Sequence, residues 1–127
     1  MSEQITGYYS VIRYVPDTIR DEGINIGIIL KAGDLVLLRH GLTFHRAACI
    51  DPHMGRSAVT ALIRDTIDRL NEIIDNGTFA ERAPDYSSGK IQLTAPRVSI
   101  IEGPNYQFNT NTEADDLLKM FVVNEME

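Results

Sequence analysis

The sequence predicts a single α+β domain spanning residues 1–127, in which an antiparallel sheet is packed by one long amphipathic helix and a short C-terminal helix. The sheet is expected as a three-stranded N-terminal meander plus a later strand pair. Three observations lead there. The chain opens with three short runs rich in β-branched, aromatic and aliphatic residues, separated by turn residues. Residues 56–75 then switch to apolar side chains at three- and four-residue steps, the period of a helix with one buried face. A length of 127 residues, 43% of them apolar, suits one domain around one real core.

Tyr8 to Val15 is the first predicted strand, stopped by Pro16-Asp17 because proline gives a ladder no donor. Ile24 to Lys31 is the second. Ala32-Gly33-Asp34 turns the chain into Leu35 to His40, so strands two and three form an antiparallel hairpin. Gly41 to Gly55 loses periodicity and is punctuated by Pro52 and Gly55, which predicts a loop. In the helix from Arg56 to Asp75, Val59, Leu62, Ile63, Ile67, Leu70, Ile73 and Ile74 line one face, and Asn76-Gly77 stops it. Thr78 to Gly89 is expected to be an exposed, mobile loop. Lys90 to Ala95 and Val98 to Glu102 are strand segments broken by Pro96, which indicates an edge position or a bulge. Asn111 or Thr112 then caps a short helix to about Val123, with Glu113, Asp115 and Asp116 at its positive end.

Composition excludes several classes of function. A net charge of -6 argues against sequence-independent binding to nucleic acid, which depends on Lys and Arg displacing counterions. Cys49 is the only cysteine, so no internal disulfide forms. No apolar run approaches the roughly 20 residues that span a bilayer, and the start of the chain lacks a signal-peptide pattern, so the protein is expected in the cytoplasm and off the membrane. Pro16-Asp17 and Pro84-Asp85 match the first half of a metal-nuclease pattern. The acidic-x-Lys half is missing, since Ile29, Ser88 and Leu117 stand two places before Lys31, Lys90 and Lys119. His40, His45, Cys49, Asp51 and His53 share one window, but their spacing fits no compact zinc motif. No metal, cofactor or catalytic residue is assigned.

The candidate site comes from polar residues inside the buried strands. Alternation puts Tyr9, Val11, Arg13 and Val15 on one face of strand one and Tyr8, Ser10, Ile12 and Tyr14 on the other, so Arg13 stands in an apolar row and demands a partner. Asn25, Gly27 and Ile29 share a face of strand two, where Gly27 leaves room for a guanidinium. Glu22 is expected to neutralise Arg13, and Arg97, placed by Pro96, to reach the same region. One reading is a buried Arg13–Glu22 ion pair that fixes register, with Asn25 capping the loop. The other is that Arg13, Arg20 and Arg97 converge on an anionic ligand or on a partner's carboxylate or phosphate. Tyr106 and Phe108, with Phe79 and Tyr86, lie in or beside predicted loops and are candidate interface anchors, the first two foremost.

The segments Tyr9-Ser10-Val11-Ile12-Arg13-Tyr14-Val15-Pro16-Asp17, Arg20, Glu22 and Asn25-Ile26-Gly27, with Leu93-Thr94-Ala95-Pro96-Arg97 far downstream, resemble the bacterial family catalogued as domain of unknown function 3037. The resemblance implies a small single-domain α+β protein, and a setting similar to that of accessory proteins encoded beside HipA-like kinases. One departure stands out. Members often carry a Pro-x-His-Thr-Gly-like stretch after the Pro-Arg motif, where this chain has Gly103-Pro104-Asn105-Tyr106-Gln107-Phe108-Asn109, so no histidine role is carried over.

The function expected from these readings is a non-enzymatic cytoplasmic binding or regulatory protein of bacterial or phage origin, with a protein partner such as a HipA-like kinase or a defence protein. A binder of an anionic small molecule such as a nucleotide is the first alternative, and an enzyme drawing on Glu22, Asp17 and Arg97 the second. A homodimer through exposed hairpin edges is also expected.

Overall fold

The axis of the sheet is β1 (Gln4–Asp17), a strand of 14 residues with a neighbour on each side. The computed structural model describes residues 4–17, 22–33, 35–41, 44–77, 90–102 and 105–122, with backbone alone at 17, 22, 102, 106 and 107. On one side, β1 pairs antiparallel with β2 (Glu22–Ala32), which pairs in turn with β3 (Leu35–His40). On the other side lie β4 (Ile91–Leu93) and β5 (Arg97–Glu102), both antiparallel to β1. The expected meander is present. The later strands do not pair with each other; they follow end to end along β1, with β5 opposite Gln4 to Tyr9 and β4 opposite Ile12 to Tyr14.

Pro96 explains that break, because it supplies no N–H. Thr94 repairs the gap. Its N–H donates to the Val11 carbonyl at 3.0 Å, and its hydroxyl oxygen accepts from the Val11 N–H at 2.9 Å.

Among the described residues, three helices cover the two faces of the sheet. α1 (His45–Cys49) and α2 (Arg56–Asp75) cover one, where Ile12, Tyr14, Ile26 and Ile29 pack with Phe44, Ala47, Val59, Ile63, Ile67, Leu70 and Ile73. α3 (Tyr106–Phe121) covers the other, where Val11, Ile28, Leu30, Ala32 and Ile101 meet Ala114 and Leu117. Burial on both faces is why Ile26 to Leu30 runs apolar without alternation: once a strand is covered twice, polar positions lose their outlet to water.

Two expectations need correcting. The loop from Gly41 to Gly55 contains α1, whose five residues are too few to show a period. α3 is not short, and it starts at Tyr106 rather than after Asn111 or Thr112. Asn105 is its cap, with a side-chain oxygen accepting from the Phe108 N–H at 3.1 Å. The aromatic and asparagine-rich stretch after it has weak helix propensity and looked like loop, but tertiary packing decides its state, as the complete burial of Thr110 shows. The loop expected to be mobile, Thr78 to Gly89, lies outside the described residues.

Candidate functional site

Arg13 and Tyr14 are neighbours on β1 that face opposite sides of the sheet, and each anchors a polar centre. Tyr14 is fully buried beneath the turn between α1 and α2. Its hydroxyl donates to Asp51 Oδ2 at 2.5 Å, and Lys90 Nζ donates to the same oxygen at 2.7 Å. Met54 Sδ borders both donors, at 3.5 Å from the hydroxyl and 3.6 Å from Nζ. Asp51 is 6% exposed. Its carbonyl accepts from the Met54 and Gly55 N–H groups, while the Lys90 carbonyl accepts from Val15 N–H at 2.6 Å, so backbone bonds hold the two ends of this cluster.

Burial pushes the Tyr14 hydroxyl above its ordinary range, and the hydrogen bond and negative charge of Asp51 push it further. The Lys90 hydrogen bond, then the Tyr14 one, holds the Asp51 carboxyl below its ordinary range against the opposing effect of burial. A phenol that stays protonated cannot act as base or nucleophile, and the carboxylate oxygen is already shared by two donors. The cluster is therefore a tie between β1, the α1–α2 turn and the entry to β4. Sequence reading missed it, taking Asp51 and Lys90 only as failed metal or nuclease candidates. The available signal was Tyr14 itself, since a tyrosine on the covered face of a strand needs a partner for its hydroxyl.

Arg13 opens the other centre. It is half-buried and directly opposite Asn25 on β2. The pairing depends on a bulge: Ile12 pairs with Gly27 and Arg13 with Asn25, so Ile26 is an extra residue. The bulge moves Asn25 off the face of Gly27 and Ile29 and onto the α3 face with Arg13. The glycine that makes room for the guanidinium is accordingly Gly23, not Gly27. A Cβ on Gly23 would lie 2.7 Å from Arg13 Nη2, whereas one on Gly27 would lie 2.6 Å from the Arg39 carbonyl oxygen. Gly27 serves the close approach of β3 to the bulge. Asn25 Nδ2 donates to the Phe121 carbonyl at 2.9 Å, taking up one of the orphan acceptors at the end of α3; the loop it was expected to cap lies outside the described residues.

Arg97 is not brought to Arg13. It is exposed on β5 opposite Tyr9, four residues back along β1 and about 13 Å away. Asp17 and Glu22 are register partners at the far end of β1, roughly 25 Å from Arg97, so the three do not form one catalytic group. Arg20 and the side chains of Glu22, Asp17 and Tyr106 lie outside the described residues, as do Phe79 and Tyr86. Phe108 is in the first turn of α3 rather than in a loop, and is 67% exposed. It stands 13 residues before Phe121, about 20 Å along the helix. Among the described residues no three His, Cys, Asp or Glu side chains gather as a metal site. His45 instead pairs with Arg56, and His40 Nδ1 donates to the Gly41 carbonyl.

Beside Arg13 is a cleft of about 210 Å³ lined by Gly23, Ile24, Asn25, Arg46 and Phe121. Among the described residues, it lies where β2 extends beyond its ladder with β3. The β3 ladder ends at Gly27 opposite His40, and Gly41 N–H adds a last bond to the Ile26 carbonyl. From Gly23 to Asn25 that edge of β2 has no strand partner among the described residues. α1 contributes Arg46 to the cleft, and the end of α3 contributes Phe121, whose ring packs on Tyr9 with centroids 5.5 Å apart.

A family model described as Protein of unknown function (DUF3037) matches residues 9–122. The chain belongs to this family. No curated protein and no solved structure matches it. The DUF3037 match spans both centres, from Arg13 and Tyr14 through Asn25, Arg46, Asp51 and Lys90 to Phe121. Among the described residues of this DUF3037 protein, no helix is long and apolar enough to cross a membrane.

Proposed function

We propose that this DUF3037 protein is a non-enzymatic cytoplasmic binding protein, and that the cleft at the uncovered end of β2 takes an acidic, extended segment of a partner protein. The observation that carries the reading is the edge from Gly23 to Asn25, which has no strand partner among the described residues, lying between two arginines: Arg46 lines the cleft and the Arg13 guanidinium rests on Gly23. An open edge recognises a backbone through main-chain hydrogen bonds, and arginine's planar fork recognises a carboxylate or phosphate beside it. Size separates this reading from the nucleotide alternative. Small-molecule sites run to about 300–1,000 Å³, and about 210 Å³ suits a side chain better than a nucleotide. A HipA-like kinase, the partner the family resemblance implies, is the first pairing to try, and a defence protein the second.

Amide NMR titration with acetylated hexapeptides that alternate Glu or Asp with valine, against Gln and Asn counterparts, tests the reading. The acidic set is expected to shift Gly23, Ile24 and Asn25 amides, and Arg13→Gln or Arg46→Gln to weaken binding by roughly tenfold. Equal binding of acidic and neutral peptides, or shifts confined to another surface, refutes it.

A further inference from the structure

Among the described residues, β5 is an edge strand, and one of its faces is exposed. Its strand partner among the described residues is β1 alone, so the backbone groups along its other side have no ladder. α3 covers the face that bears Ser99 and Ile101, both buried. The opposite face presents Val98, 58% exposed, and Ile100, 49% exposed; Tyr8, directly opposite Val98 on β1, is 49% exposed as well. The core beneath α2 on this face of β1 begins at Ile12. Edges of this kind are ordinarily blunted by a charge, a bulge or a proline inside the strand. Between Val98 and Ile101 β5 has none of these.

We propose that β5 is the pairing edge for a second copy of this chain, the two strands running antiparallel about a two-fold axis at Ser99. Such an axis is perpendicular to the sheet and keeps each face on its own side, so residues opposite one another come from the same face. With the axis at Ser99, Val98 of each copy meets Ile100 of the other, and Pro96, which has no N–H, falls at the end of the ladder opposite Glu102. An axis at Val98 sets Ile100 against Pro96, and one at Ile100 sets Val98 against Glu102. The Ser99 register is the one that joins both apolar patches, flanked by the two Tyr8 rings, into a single surface.

Charge agrees with that register. On the α3 face the Ser99 hydroxyl donates to Glu113, and Arg97 is exposed two residues away. Diagonal neighbours in a ladder are about 7–8 Å apart, within reach of an arginine. Pairing at Ser99 therefore gives the Glu113 carboxylate of each copy the Arg97 guanidinium of the other.

Sedimentation of the full chain over a range of concentrations tests the proposal. A reversible monomer–dimer equilibrium is expected, weakened by roughly tenfold or more in Val98→Lys and in Ile100→Lys, because each change enters a symmetric interface twice. Arg97→Glu is expected to weaken it too. All three side chains are exposed, so the melting of the monomer should not move. A monomer up to about 1 mM, or a dimer that both lysine variants leave intact, overturns the proposal.

Discussion

Replacing Asp51 by alanine removes the acceptor that Tyr14 and Lys90 share, and the two donors lose it unequally. Tyr14 is fully buried, so its hydroxyl is left facing Met54 Sδ at 3.5 Å, a weak acceptor. Leaving a buried donor unsatisfied costs about 1–3 kcal/mol. Lys90, with 37% of its side chain exposed, turns to water instead, and the loss of that pair adds at most about 1 kcal/mol. The sum is about 1–4 kcal/mol. A domain of 127 residues shifts by about 4 °C per kcal/mol, so Tm should fall by about 4–16 °C, read by thermal and urea unfolding. The pH dependence has a definite sign. Asp51 titrates below its ordinary range in the folded chain and at that range when unfolded. Its contribution is therefore complete above about pH 5 and is lost as pH falls through the unfolded and then the folded value. Asp51→Asn should flatten this acid limb. A loss under about 1 kcal/mol for the alanine variant, or an acid limb unchanged in the asparagine variant, refutes the idea that this cluster ties the fold together.

The two β2 glycines should respond oppositely to alanine. Gly27→Ala meets the Arg39 carbonyl at 2.6 Å, a backbone atom that cannot yield alone, and should cost about 2 kcal/mol or more in urea unfolding. Gly23→Ala meets the movable end of Arg13 at 2.7 Å, and should stay within about 1 kcal/mol while weakening the acidic peptides of the NMR titration. Asn25→Ala frees the Phe121 carbonyl; about 1 kcal/mol of local protection should disappear from the last turn of α3 in hydrogen exchange. Ile63→Ala, at a position with no exposed surface on the helix side of the larger core, should cost about 2–5 kcal/mol.

What the sequence revealed followed the range of the forces involved. α2 has the predicted bounds, Arg56 to Asp75, because twenty residues of periodic pattern outweigh local ambiguity. The break at Pro96 was legible because a missing N–H is a property of one residue. The meeting of Arg13 with Asn25 was foreseen, but through the wrong glycine. Alternation assumes an unbroken period of two, and the extra residue Ile26 resets it. The Tyr14–Asp51–Lys90 cluster was out of reach for a different reason. Its members are 37 and 39 positions apart, and nothing local at Asp51 or Lys90 announces a shared partner.

Arg13 and Tyr14, adjacent in the chain, show why one polar centre is assigned to structure and the other to recognition. Every donor and acceptor at Tyr14 closes on another part of the same chain. No surface remains there for a partner except the exposed third of Lys90. Arg13 is a half-buried cation opposite the stretch of β2 whose other edge has no strand partner among the described residues. Continued in the same register, the positions opposite Asn25 and Gly23 are 42 and 44, and Phe44 is already committed as the buried residue that opens α1. The physical reason to look for the ligand at the β2 edge rather than at the buried carboxylate is that Asp51 already takes two donors from within the chain, whereas Gly23 to Asn25 have no strand partner on that edge among the described residues.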